Sequence, residues 1–209
     1  MSENHAALTA IEAGVFGAWT VVAVALERHA EHRIGCGARR PRVGTLLAAA
    51  AVAVVACARP DFSGLAPGIA CIALVVAASG DARTGYLFDA VTAPAAALTV
   101  AAAAACGTLT GAAEGVALIV GSFASVVAAS RGRLMGLGDV KAMYAIGAAF
   151  GPAQAVIAIF AACVSGIATA AIGGDVRAGR ALPFGPHLAL GSAVALTAGD
   201  SIVRRLFGA

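Results

Sequence analysis

The sequence predicts an all-α polytopic transmembrane bundle of about eight spans, and three observations carry that prediction. Apolar residues make up 60% of the chain and charged residues only 12%, against roughly 45–50% and 25% in soluble domains. Stretches that cross or nearly cross a bilayer, which asks for about 20 apolar residues, recur along the whole 209-residue chain. Finally, 57 Ala and 26 Gly fill 83 positions. Such a composition suits helices that approach closely through small side chains, because lipid gives apolar residues no reason to leave it. The same hydrophobicity excludes disorder, and five scattered cysteines exclude a disulfide scaffold.

The spans are expected at about 7–26, 43–58, 65–79, 86–106, 111–129, 140–150, 153–172 and 187–203. The first opens after Met1 to His5, which carry Glu3 and no basic residue, so it is not a cleaved signal peptide. A hydrophilic stretch of 16 residues, Glu27 to Arg42, separates it from the second and is too short for an independent domain. The second, third and sixth spans are short, so each starts inside its flanking loop or is shielded by neighbours. The third ends at Ser79-Gly80-Asp81, and the sixth opens at Asp139. Residues 1–64 read as an N-terminal two-span segment and 65–209 as the core.

Orientation follows from the basic residues, since Lys and Arg are retained in short cytoplasmic loops. Alternate loops divide cleanly: Arg28, Arg33, Arg39, Arg40, Arg42, Arg83, Arg131, Arg133, Lys141, Arg177 and Arg180 fall in one set, and Arg59, Arg204 and Arg205 in the other. Both termini are therefore expected outside, with the loops after the odd-numbered spans in the cytosol. Topology accounts for the net charge of +3, so no nucleic-acid partner is implied; the lipid bilayer is the expected surrounding.

Chemistry has to come from the few polar residues at membrane depth. Cys36, Cys57, Cys71, Cys106 and Cys163 contain no CxxC, and four of them read as small hydrophobes in or beside spans. With His5, His29, His32 and His187 lacking a third ligand nearby, neither a metal nor a cofactor is expected. An ionisable group at the centre of a span costs at least ~2.5 kcal/mol, which makes it a functional candidate. Most acids avoid that cost: Glu27, Glu31 and Asp175 read as solvated loop residues, Asp61 and Glu114 lie near outer ends, Glu12 is interfacial, and Asp200 can pair with Arg204 one turn on. Asp81 and Asp139 differ. The third span arrives at the cytosol and the sixth leaves it, so these two carboxylates lie at one depth on one face.

Two carboxylates in a poorly solvated site share a proton and titrate as a unit. That arrangement suits aspartic peptide hydrolysis, in which the ionised partner activates water and the protonated partner donates to the scissile carbonyl oxygen. Helix termini favour Asp139 as the ionised partner and Asp81 as the protonated one. Gly136 and Gly138 let backbone approach the site, and Lys141, the only lysine, stands two residues beyond Asp139. It is expected either to act on the pair or to serve as a cytoplasmic anchor.

Three ordered blocks resemble the type IV prepilin leader peptidases, a family of Gly-x-Gly-Asp intramembrane aspartic proteases. Asp81-Ala82-Arg83-Thr84-Gly85-Tyr86-Leu87-Phe88-Asp89 is similar to the first aspartate block, which in the family typically ends in Ile-Pro-Asn. Gly136-Leu137-Gly138-Asp139-Val140-Lys141 is similar to the second, and Leu182-Pro183-Phe184-Gly185-Pro186 to a late Pro-Phe-Gly-Pro segment. The resemblance covers about 65–203. It implies Asp81 and Asp139 as the catalytic pair, with Gly136, Gly138, Lys141, Pro183, Phe184, Gly185 and Pro186 supporting the site or contacting substrate. It also implies prepilins or pseudopilins as substrates, cleaved on the cytoplasmic side of a bacterial inner membrane. Phe88 and Asp89 depart from the family's usual Pro and Asn, which predicts a less kinked start to the fourth span. Family members that also methylate carry paired cysteines ahead of the core; Cys36 stands alone in that place, so cleavage without methyl transfer is expected. The rival readings are a proton-coupled transporter using the same aspartates and a structural subunit of a pilus or secretion assembly. A transporter predicts midplane acids and related halves, and neither is visible in the sequence.

Overall fold

The computed structural model of the chain describes residues 2–35, 43–59, 63–133, 135–173 and 182–208. Seven α-helices and no strand occur among them: α1 (Ser2–Arg33), α2 (Val43–Cys57), α3 (Leu65–Thr84), α4 (Asp89–Ala105), α5 (Leu109–Ser130), α6 (Leu137–Gly173) and α7 (Gly185–Phe207). Four stretches, Ala6–Arg33, Leu65–Thr84, Leu109–Ser130 and Leu137–Ile172, are long and apolar enough to cross a membrane. The all-helical membrane class holds, and the count of eight spans exceeds what the helices show. Helices α2 and α4 are shorter apolar helices, α7 is not among the four, and the expected sixth and seventh spans are joined in α6. At Gly151 the backbone adopts φ 65°, ψ −178°, a region that only glycine enters readily. Pro152 follows and removes a helix hydrogen bond. The expected sixth and seventh spans are thus two arms of one bent element, 137–150 and 152–173.

The arms run in opposite directions. Gly147 on the outbound arm and Gly151 at the bend lie against Gly115 and Gly111 of α5, away from the Asp139 end. On the returning arm, Gln154 faces Gly199 of α7, Ala158 and Ala162 face Gly191, and Gly166 faces His187. An added Cβ at Gly191 would overlap the Ala158 carbonyl oxygen, and one at Gly115 would overlap that of Gly147. Glycine at these crossings lets the backbones touch, which is how packing drives association where lipid competes for apolar surface.

Helix α3 is the most buried of the long apolar helices and forms the centre of the bundle. Helix α1 lies alongside it in parallel and in constant register. Phe16 packs onto Gly68, the Trp19 indole N–H donates to the Ile69 carbonyl at 3.0 Å, Glu27 meets Ser79, and Glu31 meets Arg83. This register overturns the expectation that Glu27 and Glu31 are solvated. Helix α1 continues to Arg33, and the two carboxylates are 0% and 2% exposed against α3. Glu12 is also buried against its neighbours, and its Oε1 has no hydrogen-bond partner among the described residues.

Asp200 does not pair with Arg204. Its carboxylate takes the Arg59 guanidinium at 3.0 Å and the Gln154 side-chain amide, and Arg59 also donates to the Leu196 carbonyl at 2.7 Å. This polar knot ties α2, the returning arm of α6 and α7 together at the end remote from Asp81. The expectations for Cys36, Asp61, Asp175, Arg177 and Arg180 lie outside the described residues.

Candidate active site

Helix α3 extends past the predicted end of its span, which places Asp81 in its last turn, where it is 5% exposed. The turn closes at Gly85, whose φ of 71° gives a left-handed cap and whose N–H donates to the Asp81 carbonyl at 2.8 Å. The side chain of Asp81 points to the start of α7. The first N–H groups of a helix have no partner within it. Gly185 sends its own N–H to Asp81 Oδ2 at 2.7 Å. Pro186, next in line, has no N–H to satisfy, which suits it to the first turn. Because Oδ2 accepts this bond, any proton on Asp81 resides on Oδ1.

Gly185 is required by space as well. A Cβ there would stand 2.9 Å from Asp81 Oδ2, 3.0 Å from Asp81 Cβ and 3.2 Å from Leu87 Cδ2. Leu87 also lies beside Gly138, where an added Cβ would meet its Cβ at 3.4 Å. One leucine therefore touches both blocks, bringing the Gly138-Asp139 turn next to the Asp81-Gly185 contact. Asp139, half-buried in the first turn of α6, faces the Gly136 N–H and lies within the electrostatic reach of Asp81. An alanine at Gly138 would make only an ordinary 3.4 Å contact with Leu87, so crowding there needs a longer side chain.

Lys141 does not turn to this pair. Its ammonium binds Asp89 Oδ2 at 2.6 Å, with both side chains more than half exposed, and so links the outer surfaces of α6 and α4. Phe88, the N-cap of α4, has φ −78° and ψ 123°, a conformation proline also adopts. The Phe88 ring packs against Gly80. Pro183 and Phe184 are half-buried in the approach to α7, and the Phe184 ring lies 6.2 Å from that of His187.

Two groups beside Asp81 escaped the sequence reading. His187, 8% exposed in the first turn of α7, shares a 3.0 Å hydrogen bond between its Nδ1 and Ser165 Oγ, while Ser165 donates to the Ala162 carbonyl at 2.9 Å. With the serine proton committed to Ala162, Nδ1 is the donor to Ser165. Arg83, on the opposite side of the last α3 turn, is held by Glu31 at 2.7 Å and Glu27 at 3.1 Å. A helical pair Glu27/Glu31 four residues apart, matched to a pair Ser79/Arg83 with the same spacing, was the available signal.

Fold and site together define an all-helical membrane protein in which two aspartates from separate helices lie within electrostatic reach of each other at one end of the bundle. The chain belongs to the type IV leader peptidase family, whose model matches residues 68–171. Neither the curated proteins nor the solved structures include a match to it. The matched segment contains Asp81, Leu87, Asp89, Gly138, Asp139 and Lys141, whereas Glu27, Glu31, Gly185 and His187 come from helices outside it. The chain is thus a membrane peptidase by family.

Proposed function

We propose that the protein is an intramembrane aspartic endopeptidase that removes the leader of type IV prepilins or pseudopilins at the cytoplasmic face of a bacterial inner membrane. The observation that supports this reading is the contact of Leu87 with Gly185, which holds Asp81, and with Gly138, which precedes Asp139, inside a leader peptidase family member. One carboxylate, ionised, takes a proton from water as the oxygen attacks the scissile carbonyl carbon; the other donates its proton to the carbonyl oxygen. Collapse of the tetrahedral intermediate returns a proton to the leaving amine. The Gly185 N–H holds one oxygen of Asp81, so its other oxygen is left for the shared proton or for water. Glycines 136 and 138 keep the Asp139 side open to an extended peptide.

The test is cleavage of a type IV prepilin, leader intact, by the purified protein in detergent. Asp81→Asn and Asp139→Asn should each abolish the shortened product while leaving membrane insertion intact, because an amide keeps the shape but neither shares the proton nor acts as base. Wild-type turnover by either folded variant refutes the pair.

A further inference from the structure

The last turn of α3 is gripped on two sides. On one, Gly185 holds the Asp81 side chain. On the other, Ser79 and Arg83, four residues apart and therefore on one helical face, meet Glu27 and Glu31, which share a face of α1. Arg83 donates to Glu31 Oε1 from Nη2 at 2.7 Å and from Nε at 3.2 Å, and from Nη2 to Glu27 Oε1 at 3.1 Å; the Ser79 hydroxyl, 2.9 Å from the same Glu27 oxygen, shares its one proton between that oxygen and the Val76 carbonyl at 2.8 Å. Residue 81 lies about 200° around the helix from both 79 and 83, so the acid clamp and the Gly185 contact press on opposite faces. Gly80 permits this closeness, since a Cβ there would stand 2.8 Å from Glu27 Oε1. Both glutamates are buried, and breaking a buried ionic contact leaves an uncompensated charge. The last turn of a helix would otherwise fray, and here it carries a reacting group.

We propose that Glu27 and Glu31, on a helix outside the segment matched to the family, are positioning residues for Asp81, acting through Arg83 and Ser79. The inference rests on the reading of Asp81 as half of the catalytic pair. It assigns to α1 a role in setting the angle of that carboxylate rather than in anchoring alone. A misplacement of about 1 Å at a reacting group costs on the order of 100-fold in rate, so the clamp acts on kcat.

Prepilin cleavage by purified, folded Glu27→Gln, Glu31→Gln, Arg83→Met, Arg83→Lys and Gly80→Ala variants tests this, with kcat and KM measured separately and rates normalised to the folded fraction. Arg83→Met should lower kcat by on the order of 100-fold with KM changed less than about twofold, and Arg83→Lys should recover about tenfold of that loss. Gly80→Ala alters no charge yet displaces Glu27, so it should lower kcat by at least about tenfold. Should Arg83→Met fail to fold, Glu27→Gln and Gly80→Ala carry the test. Wild-type kcat in both, a raised KM at unchanged kcat, or a loss that vanishes on normalisation overturns the proposal. Asp81→Asn is assayed alongside: activity there removes the catalytic reading and the clamp with it, whereas an inactive Asp81→Asn with normal clamp variants removes the clamp alone.

Discussion

Gly185→Ala adds one methyl group at the tightest point of the site. The new carbon stands 2.9 Å from Asp81 Oδ2 and 3.0 Å from Asp81 Cβ, where an unstrained contact needs about 3.5 Å. Leu87 Cδ2, at 3.2 Å, can rotate away. Asp81 Cβ is fixed to the α3 backbone and cannot. Relief therefore comes by backing the start of α7 away by about half an ångström, which stretches the 2.7 Å bond from Gly185 N–H to Asp81. Hydrogen bonds contribute about 0.5–1.5 kcal/mol to a protonated carboxyl and about 1.5–3 kcal/mol to an ionised one, so where this bond holds Asp81 in its reactive geometry the rate falls roughly 2- to 150-fold. Initial rates of prepilin shortening, normalised to monodisperse enzyme in detergent, measure it. Gly166→Ala is the control, because its nearest neighbour, the Phe184 ring, lies at a comfortable 3.5 Å; its rate should stay within about twofold of wild type. A folded Gly185→Ala enzyme with wild-type turnover refutes the geometry, and equal losses in both variants show mere intolerance of that end of the bundle.

Two further outcomes are expected. Asp89→Asn and Lys141→Ala break one exposed ion pair, a change of about 0–1 kcal/mol; both variants should keep most of their cleavage activity, and an inactive, correctly folded Asp89→Asn would place that carboxylate in the reaction. Gly191→Ala drives a methyl group into the Ala158 carbonyl and should destabilise the bundle by about 1–3 kcal/mol, read as a lower unfolding temperature in detergent. Gly199→Ala faces only the flexible Gln154 side chain at 3.3 Å and should lower it much less.

The parts of this architecture legible in the sequence are those that local pattern determines. Hydropathy located the helices, and the parity of spans put Asp81 and Asp139 at one end because a bilayer leaves only two ends to choose from. Gly151-Pro152 was legible as a break but not as a bend within one element, since punctuation marks where a helix yields without fixing the angle. Long-range polar pairing was the illegible part. Glu27 and Glu31 fall in a charged stretch that reads as loop until the Arg83 partner arrives from another helix, and Asp200 has a plausible local partner in Arg204 that loses to Arg59 and Gln154. Hydropathy averages over a window, and a buried ion pair is a property of two windows at once. His187 was unreadable for the same reason: its partner Ser165 lies on a different helix.

The bend at Gly151 suspends Asp139 from one arm and the serine that steadies His187 from the other, so both hang from a hinge at the far end of the bundle. Adding a single residue to either arm turns everything beyond it by about 100° and shifts it about 1.5 Å along the axis, which carries Gly138 off Leu87 or Ser165 off His187. Substitutions at exposed positions such as Phe160 and Ile167 can be absorbed one at a time, but insertions and deletions cannot, unless they come as whole turns matched in both arms. Length changes that keep both contacts therefore belong in the connections, and a redesign that lengthens the bundle for a thicker bilayer has to extend both arms of α6 and α7 together.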